Sequence, residues 1–177
     1  MSNYKRVWRK GGTYFFTVCL LQRGDNHLLI RHINALRDAV RQTKKDHSFE
    51  IDAWVVLPEH LHCVITLPAG DDDYSLRWRL IKRRFSEAVP KTEYRSDVRT
   101  RRGERGIWQR RYWEHLIRDE DDYAAHINYV HFNPVKHGLV SLVADWSYST
   151  FHRWKDAGLY PDNWGGGSSM LTLEHDE

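Results

Sequence analysis

The strongest constraint on the fold is the order in which strand-like and helix-like hydrophobic patterns follow one another along the chain. Segments rich in β-branched and aromatic residues predict four strands, at residues 13–20, 49–57, 60–67 and 112–118. Apolar residues at helical spacing, or acidic residues that suit a helix N-terminus, predict three helices, at residues 27–46, 75–89 and 119–133. The order is β-α-β-β-α-β-α, which favours an α+β fold. We therefore expect a ferredoxin-like antiparallel sheet with helices packed on one face.

The domain organisation follows from the length of the chain and from the positions of its Gly, Ser and Pro residues. A chain of 177 residues fills one domain, and no segment resembles an interdomain linker. Residues 1–164 are predicted to form one domain, in which residues 139–164 are an irregular tail pinned by tryptophans. Residues 165–177 begin with three glycines and two serines and are predicted to be disordered. Pro134 should end the last helix, and residues 91–105 should form a flexible basic loop.

Composition indicates the compartment. No apolar run approaches the roughly 18 residues that span a membrane, and residues 1–10 are polar and basic, unlike a signal peptide. Cys19 and Cys63 form no CxxC pair, which argues against a disulfide scaffold or an all-thiolate zinc site. We expect a cytoplasmic protein with no membrane partner.

A concentrated block of positive charge points to nucleic acid. The net charge is only +3, yet residues 77–111 contain thirteen Lys or Arg against four acids. Basic residues near aromatic rings are typical of a polyanion-binding surface, although a solvated helix face would show the same charges. The predicted DNA contacts come from this block and from a basic N-terminal arm: Arg77, Arg79, Lys82, Arg83, Arg84, Arg110, Arg111, Lys5 and Arg6.

A histidine pair is the first candidate for chemistry. His60 and His62 alternate with Leu61 and Cys63 in a predicted strand, so both imidazoles should project from one sheet face. Two imidazoles on one face can bind a divalent cation. A short histidine pair also arises by chance, so this motif alone is weak.

The last predicted helix adds a possible nucleophile. Helical steps place His126, Tyr129 and Asn133 on one face. A phenol can attack a phosphodiester while a metal polarises the phosphate oxygens, and the Asn133 amide oxygen would be a further ligand. Asn133 precedes Pro134, which disfavours a helical conformation and leaves His126 or water as alternative third ligands. His126, with Glu114 and His115 of the fourth strand, is also a candidate to orient the site.

Five longer motifs, in order along the chain, resemble the REP-associated tyrosine transposases, relatives of the single-tyrosine HUH transposases (two histidines around a hydrophobic residue). They are residues 11–17 (GGTYFFT), 54–62 (WVVLPEHLH), 108–115 (WQRRYWEH), 129–138 (YVHFNPVKHG) and 146–152 (WSYSTFH). The similarity extends from about residue 4 to residue 164. The resemblance implies Tyr129 as the nucleophile and His60, His62 and Asn133 as metal ligands.

The resemblance also implies an activity and partners. Such enzymes cut single-stranded DNA, leave a 5′-phosphotyrosine and a free 3′-OH, and can rejoin strands. They recognise REP-type palindromes as DNA hairpins with a short single-stranded flank, and they act as monomers with the C-terminal tail near the active site. An amide oxygen and a phosphate favour Mg²⁺ or Mn²⁺, although two imidazoles would also admit Zn²⁺.

Two other functions remain open on the sequence alone. A non-catalytic regulator that binds DNA or RNA hairpins would use the same basic block, but it would not need histidines facing a tyrosine. A nuclease with a metal-activated water would need the histidines but not Tyr129. The base that deprotonates Tyr129 is not identified by the sequence.

Overall fold

The computed structural model describes residues 6–166, so Lys5 and residues 167–177 lie outside the described part. Its centre is a four-stranded sheet in the order β2-β3-β1-β4, with every neighbouring pair antiparallel. The strands are β1 (Thr13–Cys19), β2 (Glu50–Val56), β3 (His60–Thr66) and β4 (Trp113–Leu116). With the first two long helices as crossovers, this is the predicted ferredoxin-like α+β fold.

Between residues 6 and 166, six α-helices connect and cover the strands: α1 (Leu28–Arg31), α2 (Ile33–Asp46), α3 (Tyr74–Ala88), α4 (Asp97–Arg101), α5 (Glu120–Lys136) and α6 (Phe151–Asp156). Aspartate side chains cap the N-termini of α3 and α5. The Asp73 side chain accepts a hydrogen bond from Leu76 N, and the Asp119 side chain accepts one from Asp122 N. The predicted first helix is two helices, interrupted at His32. The predicted flexible loop contains α4, and the tail contains α6 and a short 3-10 helix (Val143–Asp145).

The helices cover both faces of the sheet, so the expectation that they occupy one face was wrong. Alternate residues of β1 enter two separate cores. Phe16 packs with α2 and α3 on one face, whereas Phe15 packs with Ile127 and Val130 of α5 on the other. Each face of β1 carries a phenylalanine, so a period of two places one aromatic ring in each core.

Helix α5 also continues past its predicted end. Pro134 lies inside the helix, which runs to Lys136. The turn closes when His137 N donates to Asn133 O and Leu139 N donates to Pro134 O. Gly138 follows at a φ of 67°, the left-handed conformation that commonly ends helices. The glycine, not the proline, therefore ends α5.

The C-terminal tail protects the edge of the sheet. Backbone bonds join Val56 N to Tyr148 O and Thr150 N to Trp54 O, which pairs part of the outer strand β2. Phe151 is buried, and Trp164 stacks on it with ring centroids 5.8 Å apart. Gly165 and Gly166, the first residues of the predicted disordered segment, lie beside the 3-10 helix. No helix of the described residues is long and apolar enough to cross a membrane.

Candidate active site

The two predicted histidines project from β3 toward α5. His60 and His62 are buried, and their rings lie 4.9 Å apart and nearly perpendicular. His60 Nδ1 lies 3.0 Å from Glu59 Oε1, and His62 Nδ1 lies 2.8 Å from Thr17 Oγ1. Contacts of this kind fix the ring orientation of metal-binding histidines. A metal would therefore be bound through the two Nε2 atoms.

Tyr129 of α5 meets this pair. Its side chain is buried, and its ring lies edge-on to His62 at 5.4 Å and to Phe15 at 5.7 Å between centroids. Tyr123, the other tyrosine of this helix, instead donates its hydroxyl to Asp52 Oδ1 at 3.0 Å. The fold thus brings one phenol of α5 beside an imidazole of β3.

Asn133 keeps a helical position despite the proline that follows it. Its side chain is buried, and Nδ2 donates to Tyr129 O at 3.0 Å. Its Oδ1 is buried and has no hydrogen-bond partner among residues 6–166. Such an oxygen is costly unless something else satisfies it. The side chain therefore suits the predicted ligand role, and its burial fits a bound cation.

His137 is a further candidate ligand that the sequence analysis missed. One ring nitrogen of each of His60, His62 and His137 lies within 4.8 Å of the other two, and the His137 ring lies 5.1 Å from that of His60. His137 reaches this place because α5 continues beyond Pro134. Four residues separate it from Asn133, a helical interval that would have identified it without the expected stop. These histidines form a cluster that can bind a metal ion.

Lys136, also missed, contacts the candidate nucleophile. Its Nζ donates a hydrogen bond to Tyr129 Oη at 3.0 Å and lies 4.7 Å from the centre of the phenol ring. The lysine side chain is exposed, whereas the phenol is buried. A positive charge therefore meets the tyrosine oxygen from the solvent side.

His115 and His126 belong to a different cluster. His126 Nδ1 lies 3.0 Å from Asp122 Oδ1, and its ring stacks on His115 at 4.6 Å. Burial raises the pKa of Asp122, but hydrogen bonds from His115 and Arg118 outweigh this effect and hold it at about 2. The ring nitrogens therefore group His126 with His115 and Asp122 and not with His60 and His62, and its role as an alternative third ligand stays a prediction. Phe15 contacts both His62 and His126, so its ring packs between the two clusters.

Glu114 was wrongly placed beside the site. It pairs across the sheet with Phe16, whose ring enters the opposite core. Its carboxylate is buried there, with Oε1 3.3 Å from Arg6 Nε. The two neighbouring residues Glu114 and His115 thus serve opposite faces, as a strand period of two requires.

A large basic groove lies on the α3 side of the sheet. It has a volume of about 1670 Å³ and is bounded by α3 and by residues 91–112. Because α3 and α5 pack on opposite faces, the groove and the histidines are on opposite sides of the sheet. Six of the predicted DNA-binding residues line it: Arg6, Arg79, Lys82, Arg83, Arg110 and Arg111.

Two of the predicted DNA-binding residues do not line the groove: Arg77, which is structural, and Arg84. Arg77 is buried, and its guanidinium donates to Ser48 O at 2.6 Å and to Asp71 Oδ2 at 2.7 Å. Arg84 donates to Thr43 Oγ1 and pairs with Asp46, away from the groove.

The cations that line the groove differ in burial. Burial lowers the pKa of Lys82 to about 8, and its Nζ donates to Gln109 O at 2.9 Å. Arg79 and Arg111 are exposed.

Comparison with known proteins identifies the family. No protein-family model matches the chain. It is 51% identical to a REP-associated tyrosine transposase of Escherichia coli K12, over 94% of this chain and 92% of that protein. It is 46% identical to a putative REP-associated tyrosine transposase of Haemophilus influenzae Rd, over 96% of this chain and 97% of that protein. A solved structure of such a transposase bound to a REP hairpin is 47% identical, with a TM-score of 0.83 over 99% of this chain and 98% of that one. The chain therefore belongs to the family of REP-associated tyrosine transposases.

Proposed function

We propose that this protein is a metal-dependent single-stranded DNA endonuclease and strand transferase with Tyr129 as its nucleophile. The proposal rests on the contact between Tyr129 of α5 and His62 of β3. The centroids of these two rings lie 5.4 Å apart. A hairpin-binding regulator would need no phenol beside an imidazole pair. The membership of the transposase family agrees with an enzyme.

In the proposed reaction, Tyr129 Oη loses its proton to solvent and attacks the phosphorus of a single-stranded phosphodiester. The bond from phosphorus to the 3′-oxygen breaks, and that oxygen takes a proton and leaves as a free 3′-OH. The 5′-phosphate remains on Tyr129 as a phosphotyrosine. Attack by a 3′-OH on this intermediate releases the tyrosine and rejoins the DNA, so cleavage and strand transfer are one reversible transesterification.

The residues suited to hold a metal are His60, His62 and His137 through nitrogen and Asn133 through its amide oxygen. A bound divalent ion would polarise the phosphate oxygens and neutralise charge at phosphorus. We propose Mg²⁺ or Mn²⁺ because the substrate phosphate is a hard ligand. Three imidazoles shift the preference toward Mn²⁺ and admit Zn²⁺.

The DNA partner is inferred from charge and from a relative. The solved transposase of this family is bound to a REP hairpin, and the basic groove offers arginines to a phosphate backbone. We propose that a REP-type hairpin occupies this groove and that its single-stranded flank reaches the α5 face. We further propose that the protein acts as a monomer in the cytoplasm, at the nucleoid.

The test compares Tyr129→Phe with the matched control Tyr123→Phe on a REP hairpin that carries a single-stranded flank. Tyr129→Phe should bind the hairpin normally but give no cleavage and no covalent adduct, whereas Tyr123→Phe should cleave. EDTA should stop cleavage and leave binding intact. Cleavage by Tyr129→Phe would make water the nucleophile. Binding without cleavage by the wild-type protein, with Mn²⁺ present, would make the protein a non-catalytic binder.

A further inference from the structure

We propose that Lys136 is a catalytic residue whose ammonium stabilises negative charge on the phenolic oxygen of Tyr129, both when that oxygen attacks and when it leaves. The inference rests on the proposed function. It assigns a charged partner to the nucleophile, which the sequence analysis left without one.

The contact is built into α5. Lys136 Nζ lies 3.0 Å from Tyr129 Oη, and the two residues are seven positions apart on one helix, which places them two turns apart on the same face. The last turn carries Lys136 because the helix continues through Pro134 and ends before Gly138. The same turn brings His137 to the histidine cluster.

The charge of Lys136 faces the phenol and not a carboxylate. Within residues 6–166, Lys136 forms no ion pair with an acidic side chain. Other cations of the chain do: Arg83 pairs with Glu87, and Arg110 pairs with Glu104. The ammonium instead contacts an uncharged phenol, through a hydrogen bond to its oxygen and a position 4.7 Å from the ring centre.

The surroundings of the phenol make this contact effective. The rings of Phe15 and His62 cover the Tyr129 side chain, which is only 3% exposed. An anion in such a place loses much of its hydration, so a preorganised donor contributes more than it would in open water.

The proposed step needs no proton from Lys136. During cleavage, charge on Oη moves into the new bond between oxygen and phosphorus. During rejoining, that bond breaks and the charge returns to Oη. Lys136 keeps its three protons in both directions and donates one hydrogen bond to the reacting oxygen.

Three variants test the role on the hairpin substrate under single-turnover conditions. Lys136→Met keeps the length of the side chain without its charge and should slow adduct formation about 30-fold, with hairpin affinity within about twofold of wild type. Lys136→Arg keeps the charge and should retain most of the rate. Lys45→Met removes an exposed lysine at the end of α2 and should cleave normally.

A more acidic phenol separates a catalytic role from a structural one. Incorporation of 3,5-difluorotyrosine at position 129 should reduce the defect of Lys136→Met severalfold, because a stabilised phenolate needs less help. A wild-type rate for Lys136→Met, or a defect that is the same with both phenols, would overturn the proposal. If Lys136→Met fails to bind the hairpin, the neutral variant Lys136→Gln is measured with each phenol in its place, and the same two outcomes would overturn the proposal. Cleavage by Tyr129→Phe would instead overturn the proposed function.

Discussion

Arg77 and Arg79 lie two positions apart on α3 and have opposite surroundings. Arg77 is 2% exposed and joins α3 to the Ser48 carbonyl and to Asp71. Arg79 is exposed and lines the basic groove. Charge alone made both residues candidates for DNA binding. The two residues differ in burial. Burial depends on how α3 packs, which the charges in the sequence do not reveal.

The first prediction contrasts these two arginines. Arg77→Met should lower the free energy of unfolding by about 3 kcal/mol, because it leaves Ser48 O and Asp71 without their buried donor. Arg79→Met should change stability by less than about 0.5 kcal/mol and weaken hairpin binding. Chemical denaturation and a binding titration measure the two effects. Equal stability of the two variants would contradict the assignment.

The second prediction concerns the ligands of the metal. His60→Ala should abolish Mn²⁺ binding, and His137→Ala should weaken it at least about tenfold. Electron paramagnetic resonance of free Mn²⁺ measures both affinities without any DNA. His27→Ala, at an exposed histidine, is the control. An unchanged affinity in His137→Ala would remove His137 from the ligand set.

Among the helices and strands, the positions of the strands were predictable, and so was the sheet face toward which the β3 side chains project. The end of α5 was not. The alternation of polar and apolar residues in β3 correctly placed His60 and His62 on one face. The proline rule failed at α5, because packing against β2 and β3 and the closing bonds after Asn133 outweigh the one backbone bond that Pro134 cannot make. That single error concealed both Lys136 and His137.

The third prediction tests how α5 ends. Gly138→Ala should destabilise the protein by about 1 kcal/mol, because alanine at a φ of 67° is strained although the space around it is open. Gly24→Ala, where the space is also open and φ is not positive, should cost less. Thermal denaturation of both variants measures the difference. A stable Gly138→Ala protein would mean that the helix end tolerates another conformation.

At the scale of the whole molecule, the order of elements predicted the sheet but not its two helix layers. Helix α5 returns to the face that α2 and α3 leave open, and it carries Tyr129 there. The basic block lies on the other side. A DNA that uses both surfaces must pass around the sheet, as a hairpin with a single-stranded flank is able to do.

The fourth prediction concerns acid stability and His131, which fastens the tail to α5. Its Nδ1 lies 3.1 Å from Tyr160 Oη and its Nε2 lies 2.9 Å from Thr150 Oγ1. Burial, helped by the charges of Arg153 and His152, lowers the pKa of His131 from 6.5 to about 3. The unfolded chain therefore binds a proton below pH 6.5 that the folded chain does not bind until about pH 3.

Stability should consequently fall as the pH is lowered from about 6.5 to about 3, by up to about 1.4 kcal/mol per pH unit from this one proton. His131→Gln should remove that part of the slope, while His27→Gln should keep it. Urea denaturation at several pH values provides the data. A slope that is the same in the wild type and in His131→Gln would show that His131 is not the responsible group.

If Tyr129 is the nucleophile, it becomes covalently attached to the 5′-phosphate of cleaved DNA. Wild-type protein should be incubated with Mn²⁺ and a hairpin bearing a single-stranded flank, digested, and analysed by tandem mass spectrometry. We expect one modified peptide, carrying a nucleotide 5′-phosphate on Tyr129. Cleaved DNA with a free 5′-phosphate and an unmodified Tyr129 at every time point would show that Tyr129 is not the nucleophile.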